Sequence, residues 1–77
     1  MEVRPILFDN HIEVISDNDA DYRVSLMNLA GSRILVNDFS ALTGDSMRIY
    51  PEVPAGVYLL TIEQNGKLHH TTKVIKK

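Results

Sequence analysis

The chain is predicted to be all-β, a small antiparallel sandwich of about seven strands. Three observations carry that expectation. Apolar residues recur at a spacing near two through most of the sequence, the spacing that loads one face of a strand. Turn-forming residues interrupt this pattern about every 8 to 12 residues. Asn65-Gly66 lies between two β-rich runs, and both residues tolerate the positive φ that a type I′ hairpin turn requires.

The elements follow in order. Val3 to Leu7 reads as a short strand containing Pro5, which cannot donate to a ladder and so assigns the segment to a sheet edge. Asp9-Asn10 turns the chain into His11 to Ile15, with Ile12 and Val14 on one face and Glu13 on the other. Ser16 to Asp21 is a loop by composition. Tyr22 to Leu29 then alternates, with Tyr22, Val24 and Leu26 inward and Arg23 and Ser25 outward. Asn28-Leu29-Ala30-Gly31 turns it into Arg33 to Asn37, where Ile34 and Val36 share a face.

Ser40 to Thr43 has the composition of a single helical turn, which Gly44 ends before helix length is reached. Met47 to Tyr50 resumes the alternation and Pro51 stops it. Gly56 to Glu63 presents Tyr58, Leu60 and Ile62 on one face and is expected to pair across Asn65-Gly66 with Leu68 to Ile75. Parallel strands need long crossovers, usually helical, and no helix is visible, so the sheets are expected to be antiparallel. An immunoglobulin-like sandwich is the architecture with this strand number and spacing.

Composition narrows the function. The 77 residues are expected to form one domain, residues 1–77, that hides only about 60% of the surface of its unfolded chain. The 44% hydrophobic content still supplies a core, and no cysteine is present to staple it or to hold a metal. Ten acidic and eight basic residues argue against nucleic acid as a partner, because Arg4, Arg23, Arg33 and Arg48 are scattered singly rather than gathered on a face. Lys73, Lys76 and Lys77 form the one basic cluster. No apolar run approaches the roughly 20 residues that span a bilayer. Met1-Glu2-Val3-Arg4-Pro5 lacks the basic start and apolar stretch of a signal peptide, so an export signal is expected on a preceding part of a parent protein.

The candidate chemical sites are few. Asp17, Asp19 and Asp21 have the spacing of oxygen ligands that begins a calcium loop, but Tyr22 stands where that loop needs glycine and Asn28 where it needs a bidentate Glu. An acidic strand connector with, at most, weak calcium affinity is the better reading. His69 and His70 are adjacent, so on a strand they point to opposite faces, and His11 is remote. No nucleophile elbow, phosphate-binding glycine loop or paired carboxylates stand out, and neither catalysis nor a cofactor is expected. Two features remain open. Val57 and Leu59 face away from Tyr58, Leu60 and Ile62, as an interaction site or as a strand covered by loops. The terminal lysines serve either to blunt an edge strand or as a recognition tag.

Residues Pro54-Ala55-Gly56-Val57-Tyr58-Leu59-Leu60-Thr61-Ile62, Asn65-Gly66-Lys67 and Thr72-Lys73-Val74-Ile75-Lys76-Lys77 together resemble the C-terminal sorting domain of the type IX (Por) secretion system of Bacteroidetes. Tyr22 to Leu35 resembles that family's segment of strand, Asn/Asp-Leu-x-Gly turn and strand, so the likeness covers nearly the whole chain. The family's Pro-Asn-Pro-like opening has only Pro5 here. The resemblance implies an Ig-like domain at the end of a larger secreted protein, a non-catalytic address read by the outer-membrane secretion machinery and removed by a sortase-like enzyme. It implies a passage through the periplasm to the cell surface or the medium. Gly56, Tyr58 and Gly66 correspond to the family's turn and strand motif, and Lys73, Val74, Lys76 and Lys77 to its terminal motif. Small exported Ig-like accessory modules with the same Asn-Leu-x-Gly and Pro-Ala-Gly-x-Tyr pattern are the rival reading. A strand-added homodimer through the edges near Pro5 and Lys73 is a further expectation.

Overall fold

The computed structural model describes residues 1–77 and contains eight strands and no helix. They are β1 (Glu2–Arg4), β2 (Leu7–Phe8), β3 (Ile12–Ile15), β4 (Ala20–Met27), β5 (Arg33–Ala41), β6 (Ser46–Ile49), β7 (Gly56–Gln64) and β8 (Lys67–Lys76). A three-stranded sheet has the order β1-β3-β6 and a five-stranded sheet the order β2-β8-β7-β4-β5. Their inner faces share one apolar core, which makes the arrangement sandwich-like. Ile12, Val14, Met47 and Ile49 come from the smaller sheet. Phe8, Tyr22, Val24, Leu26, Tyr58, Leu60, Ile62 and Val74 come from the larger. Each is at most 7% exposed. The inward sets expected on β4 and β7 are therefore the observed ones.

Three expectations change. The strand expected over Val3 to Leu7 is two strands, and the total is eight rather than seven. The chain breaks at Pro5, whose peptide bond is cis, and crosses from the edge of one sheet to the edge of the other. Both pieces lie at edges, as a proline without an N–H requires. The sheets are also not wholly antiparallel, because β2 pairs parallel to β8 through Leu7–Ile75 and Phe8–Lys76. Here the rest of the domain forms the crossover, so no connecting helix is needed.

The third change concerns Asp38 to Asp45. The helical turn expected at Ser40 to Thr43 is absent, and β5 instead runs on to Ala41, paired with Ala20. Side chains across the pair hold it there. Arg23 donates to both Asp38 carboxylate oxygens (2.8 and 3.2 Å), and Ser40 Oγ donates to Asp21 Oδ1 (2.7 Å). The following turn is anchored to the buried Ser16, whose backbone N–H donates to Asp45 O and whose carbonyl accepts from Gly44 N. Ser16 Oγ also donates to the Leu42 carbonyl.

Candidate functional site

The terminal β7–β8 hairpin carries every residue of the expected recognition set. Asn65 (φ +50°) and Gly66 (φ +83°) form its tip, the pair of positive φ values that a type I′ turn demands. Asn65 also ties the tip to the neighbouring strand. Its backbone N–H donates to Asp21 O at 2.8 Å, and its Oδ1 accepts from Asp21 N at 3.1 Å. Glycine would supply the turn but not this second bond to β4.

At the opposite end of the hairpin, cross-strand pairs join Gly56 to Lys76, Tyr58 to Val74 and Leu59 to Lys73. Gly56, Tyr58, Lys73, Val74 and Lys76 thus lie on three of four consecutive rungs, with Val57–Ile75 the fourth and Lys77 next to them. Gly66 lies in the turn beyond the far end of β7, which runs about 20 Å from Tyr58 to Gln64 at the rise of a strand, and does not join the cluster. Within the cluster the residues divide by burial. Val74 is fully buried and Tyr58 is 7% exposed, so both belong to the core. Lys73 and Lys77 are exposed. Lys76 is half-buried, with Nζ 3.9 Å from Asp9 Oδ1. The last residues are pinned to β2, since Ile75 N donates to Ile6 O (2.8 Å) and Lys77 N to Phe8 O (3.0 Å).

The Pro-Ala-Gly-x-Tyr run now has a physical reading. Tyr58 Oη donates to the Pro54 carbonyl four residues upstream at 2.6 Å, which fixes the chain where it enters β7. Gly56 between them has φ +156°, a value that disfavours any residue with a Cβ. Space is not the constraint, because a Cβ there would meet only Tyr58 Cε2 at 3.9 Å. The same device recurs at the start of β4, where Tyr22 Oη donates to Asn18 O at 2.7 Å. The Asn28-Leu29-Ala30-Gly31 turn is organised by the Asn28 side chain, whose Oδ1 accepts from both Ala30 N and Ser32 N at 3.0 Å, with Gly31 at φ +89°. The two tyrosine bonds are invisible to strand periodicity, whereas the Asn28 turn is signalled by its Asn-x-x-Gly composition.

The acidic loop does not gather its carboxylates. Asp17 faces His69 Nε2 at 3.0 Å, Asp19 Oδ1 accepts from Thr43 N and Oγ1, and Asp21 accepts from Ser40. Each oxygen set serves a different protein partner, and no three metal-ligating side chains converge. The hydrogen bond from His69 is the main reason that the Asp17 carboxyl is held at about 2. This contact arises from an irregularity that a regular strand lacks, since the β7–β8 register shifts after Ile62 and leaves His69 without an opposite residue.

Val57 and Leu59 do face away from the core. Across the outer surface of the larger sheet, Val57 pairs with Ile75 and that in turn with Leu7, while Leu59 pairs with Met27. Nothing lies over this stripe, and Val57 and Leu7 remain 37% and 52% exposed. The depressions on the surface are open and shallow; one at the hairpin tip, lined by Asp21, Arg23, Asp38, Glu63 and Gly66 among others, is about 450 Å³. Arg23 and Asp38 pair with each other there, and Glu63 pairs with Arg33 outside the depression.

This combination defines a small β-domain whose distinctive chemistry is a rigid terminal hairpin with a lysine-bearing end. Residues 8–77 match the family model described as a secretion system C-terminal sorting domain, and the chain belongs to that family. The family assigns it the role of a sorting signal of the Por secretion system rather than a catalytic one. Comparison with characterised proteins and with solved structures gave no match.

Proposed function

We propose that residues 1–77 are the C-terminal domain of a larger secreted protein and direct that cargo through the type IX outer-membrane machinery to the bacterial cell surface. The observation that carries the reading is the family match over residues 8–77. The geometry supports a division of labour within the motif residues. Gly56, Tyr58, Gly66 and Val74 shape and lock the hairpin, while Lys73, Lys76 and Lys77 present charge to the machinery and to a sortase-like processing enzyme. An immunoglobulin-like relationship is supported by the strand orders β1-β3-β6 and β2-β8-β7-β4-β5, with a broken first strand shared between sheets. A tyrosine bonded back to the backbone at the start of the penultimate strand, as in the tyrosine corner of that fold, supports it too.

The accessory-module reading draws on a separate observation, the uncovered stripe of Leu7, Val57, Leu59 and Ile75. Transplantation separates the two. The domain is fused behind an exported reporter in a type IX-competent bacterium, with Val57→Ser/Leu59→Ser as a second fusion. Surface display of the wild-type fusion supports the address. Retention of a folded fusion in the periplasm sinks it and leaves the binding module.

A further inference from the structure

Four strands end the two sheets, and three of those edges are blunted against further pairing. β1 and β6 have three and four residues and carry Arg4 and Arg48. β2 has two residues and covers only the end of β8. The stretch of β8 that it leaves open bears Lys67, His69, His70 and Lys73 and the register shift at His69. Short length, lysines and bulges are the devices that keep sheet edges from adding strands.

β5 lacks them. It is nine residues long, contains neither Lys nor Pro, and pairs on one side only. No backbone group from Arg33 to Ser40 bonds to anything beyond β4. Its bulge falls at Ile34, so Leu35 to Ala41 is regular. Its one acid, Asp38, is held by two hydrogen bonds from Arg23. Leu35 and Phe39 pack against the core but are only half-buried, because the three-stranded sheet is too narrow to cover them.

We infer that β5 is a docking edge for a second copy of this chain, adding antiparallel about a two-fold axis at Asn37 to make one continuous sheet. The occupant follows from self-complementarity. An axis perpendicular to the sheet keeps inner faces together only if opposite residues share parity. Centring on Asn37 sets Leu35 opposite Phe39 twice, covering both half-buried side chains, and places the two Asn37 amides face to face. Val36 then lies opposite Asp38 of the second copy. Centring on Asp38 would oppose two carboxylates directly, which is unfavourable. This edge is distinct from those near Pro5 and Lys73, and the inference does not depend on the sorting role.

A single strand pair falls well below the roughly 1,600 Å² of a standard interface, so the dimer is weak and reversible, with a Kd on the order of 100 μM. Sedimentation equilibrium from about 10 μM to about 1 mM, a range that brackets that Kd, reads the mass directly. The mass is expected to rise from 8.7 kDa toward twice that value. Asn37→Lys sets two like charges opposite each other and is expected to weaken association at least about tenfold. Val36→Lys faces the Asp38 of the second copy and is expected to leave association intact or tighter. Circular dichroism confirms that both variants are folded. A constant 8.7 kDa across the range, or unchanged association of Asn37→Lys, overturns the inference. Equal weakening by Val36→Lys overturns the register and with it the proposed interface.

Discussion

Replacing Tyr58 by Phe removes one oxygen and leaves the buried ring in place. That oxygen makes a single hydrogen bond, to the Pro54 carbonyl at 2.6 Å, and the residue is 7% exposed. A hydrogen bond of this kind contributes about 1 to 1.5 kcal/mol net, because the unfolded chain bonds to water instead. For a domain of this size the loss lowers the melting temperature by about 5 to 10 °C. Thermal and urea unfolding followed by circular dichroism measures it, with the urea slope unchanged because the buried surface is unchanged. The ring still fills the core, so a reporter fused to the variant is expected to reach the surface at a temperature where the domain is folded. Unaltered stability together with lost export would refute the reasoning, since the hydroxyl would then be a contact for the machinery rather than a lock on β7.

Further outcomes follow from the same geometry. Val74→Ala opens a cavity in a fully buried position and is expected to cost about 1 to 3 kcal/mol, whereas Lys73→Ala on the adjacent exposed position shifts stability by less than about 0.5 kcal/mol; paired urea titrations compare them. Gly66→Ala, at φ +83° with open space around it, is expected to lose about 1 to 2 kcal/mol from backbone strain alone. Asp17 is held at about 2 against an ordinary 3.8, first by His69 and then by the Met1 ammonium 3.1 Å away, so these contacts stabilise the fold fully above that ordinary value and are lost as pH falls toward 2. The Asp17–His69 pair is about one-third exposed, which keeps its gain at or below about 1 kcal/mol. The stability difference between wild type and Asp17→Asn should shrink over that acid window, and a difference independent of pH would contradict the contact.

The strands that alternate cleanly were readable because one face of each meets the core: Tyr22, Val24 and Leu26, then Tyr58, Leu60 and Ile62. The N-terminal segment was misread because periodicity does not record which sheet a strand joins. Val3 and Phe8 serve different sheets, and the long-range pairing of Phe8 with Lys76 has no local signature. β5 was cut short at Asn37 because Asp38 is a poor strand former and Ser40 to Thr43 has the composition of a helical turn, while the partners of Asp38 and Ser40, Arg23 and Asp21, lie on another strand. The acidic loop resembled a calcium site in spacing alone, since the direction of each carboxylate depends on His69, Thr43 and Ser40, far away in sequence. At the candidate site the lysine cluster was legible in composition. The full burial of Val74 beside it depends on β8 being covered by Phe8 and the smaller sheet.

The central claim is that a folded β7–β8 end displaying lysines is an export address. Deleting Thr72 to Lys77 cannot test it cleanly, because the deletion removes Val74 from the core and the pairing with β2. The direct measurement is surface display of a reporter fused to residues 1–77, compared with Lys73→Ala/Lys76→Ala/Lys77→Ala of matched melting temperature. Display by the wild type and its loss in the triple variant, with both domains folded, is the result predicted. Equal display by the two would place the address elsewhere on the domain and contradict the role assigned to the lysines.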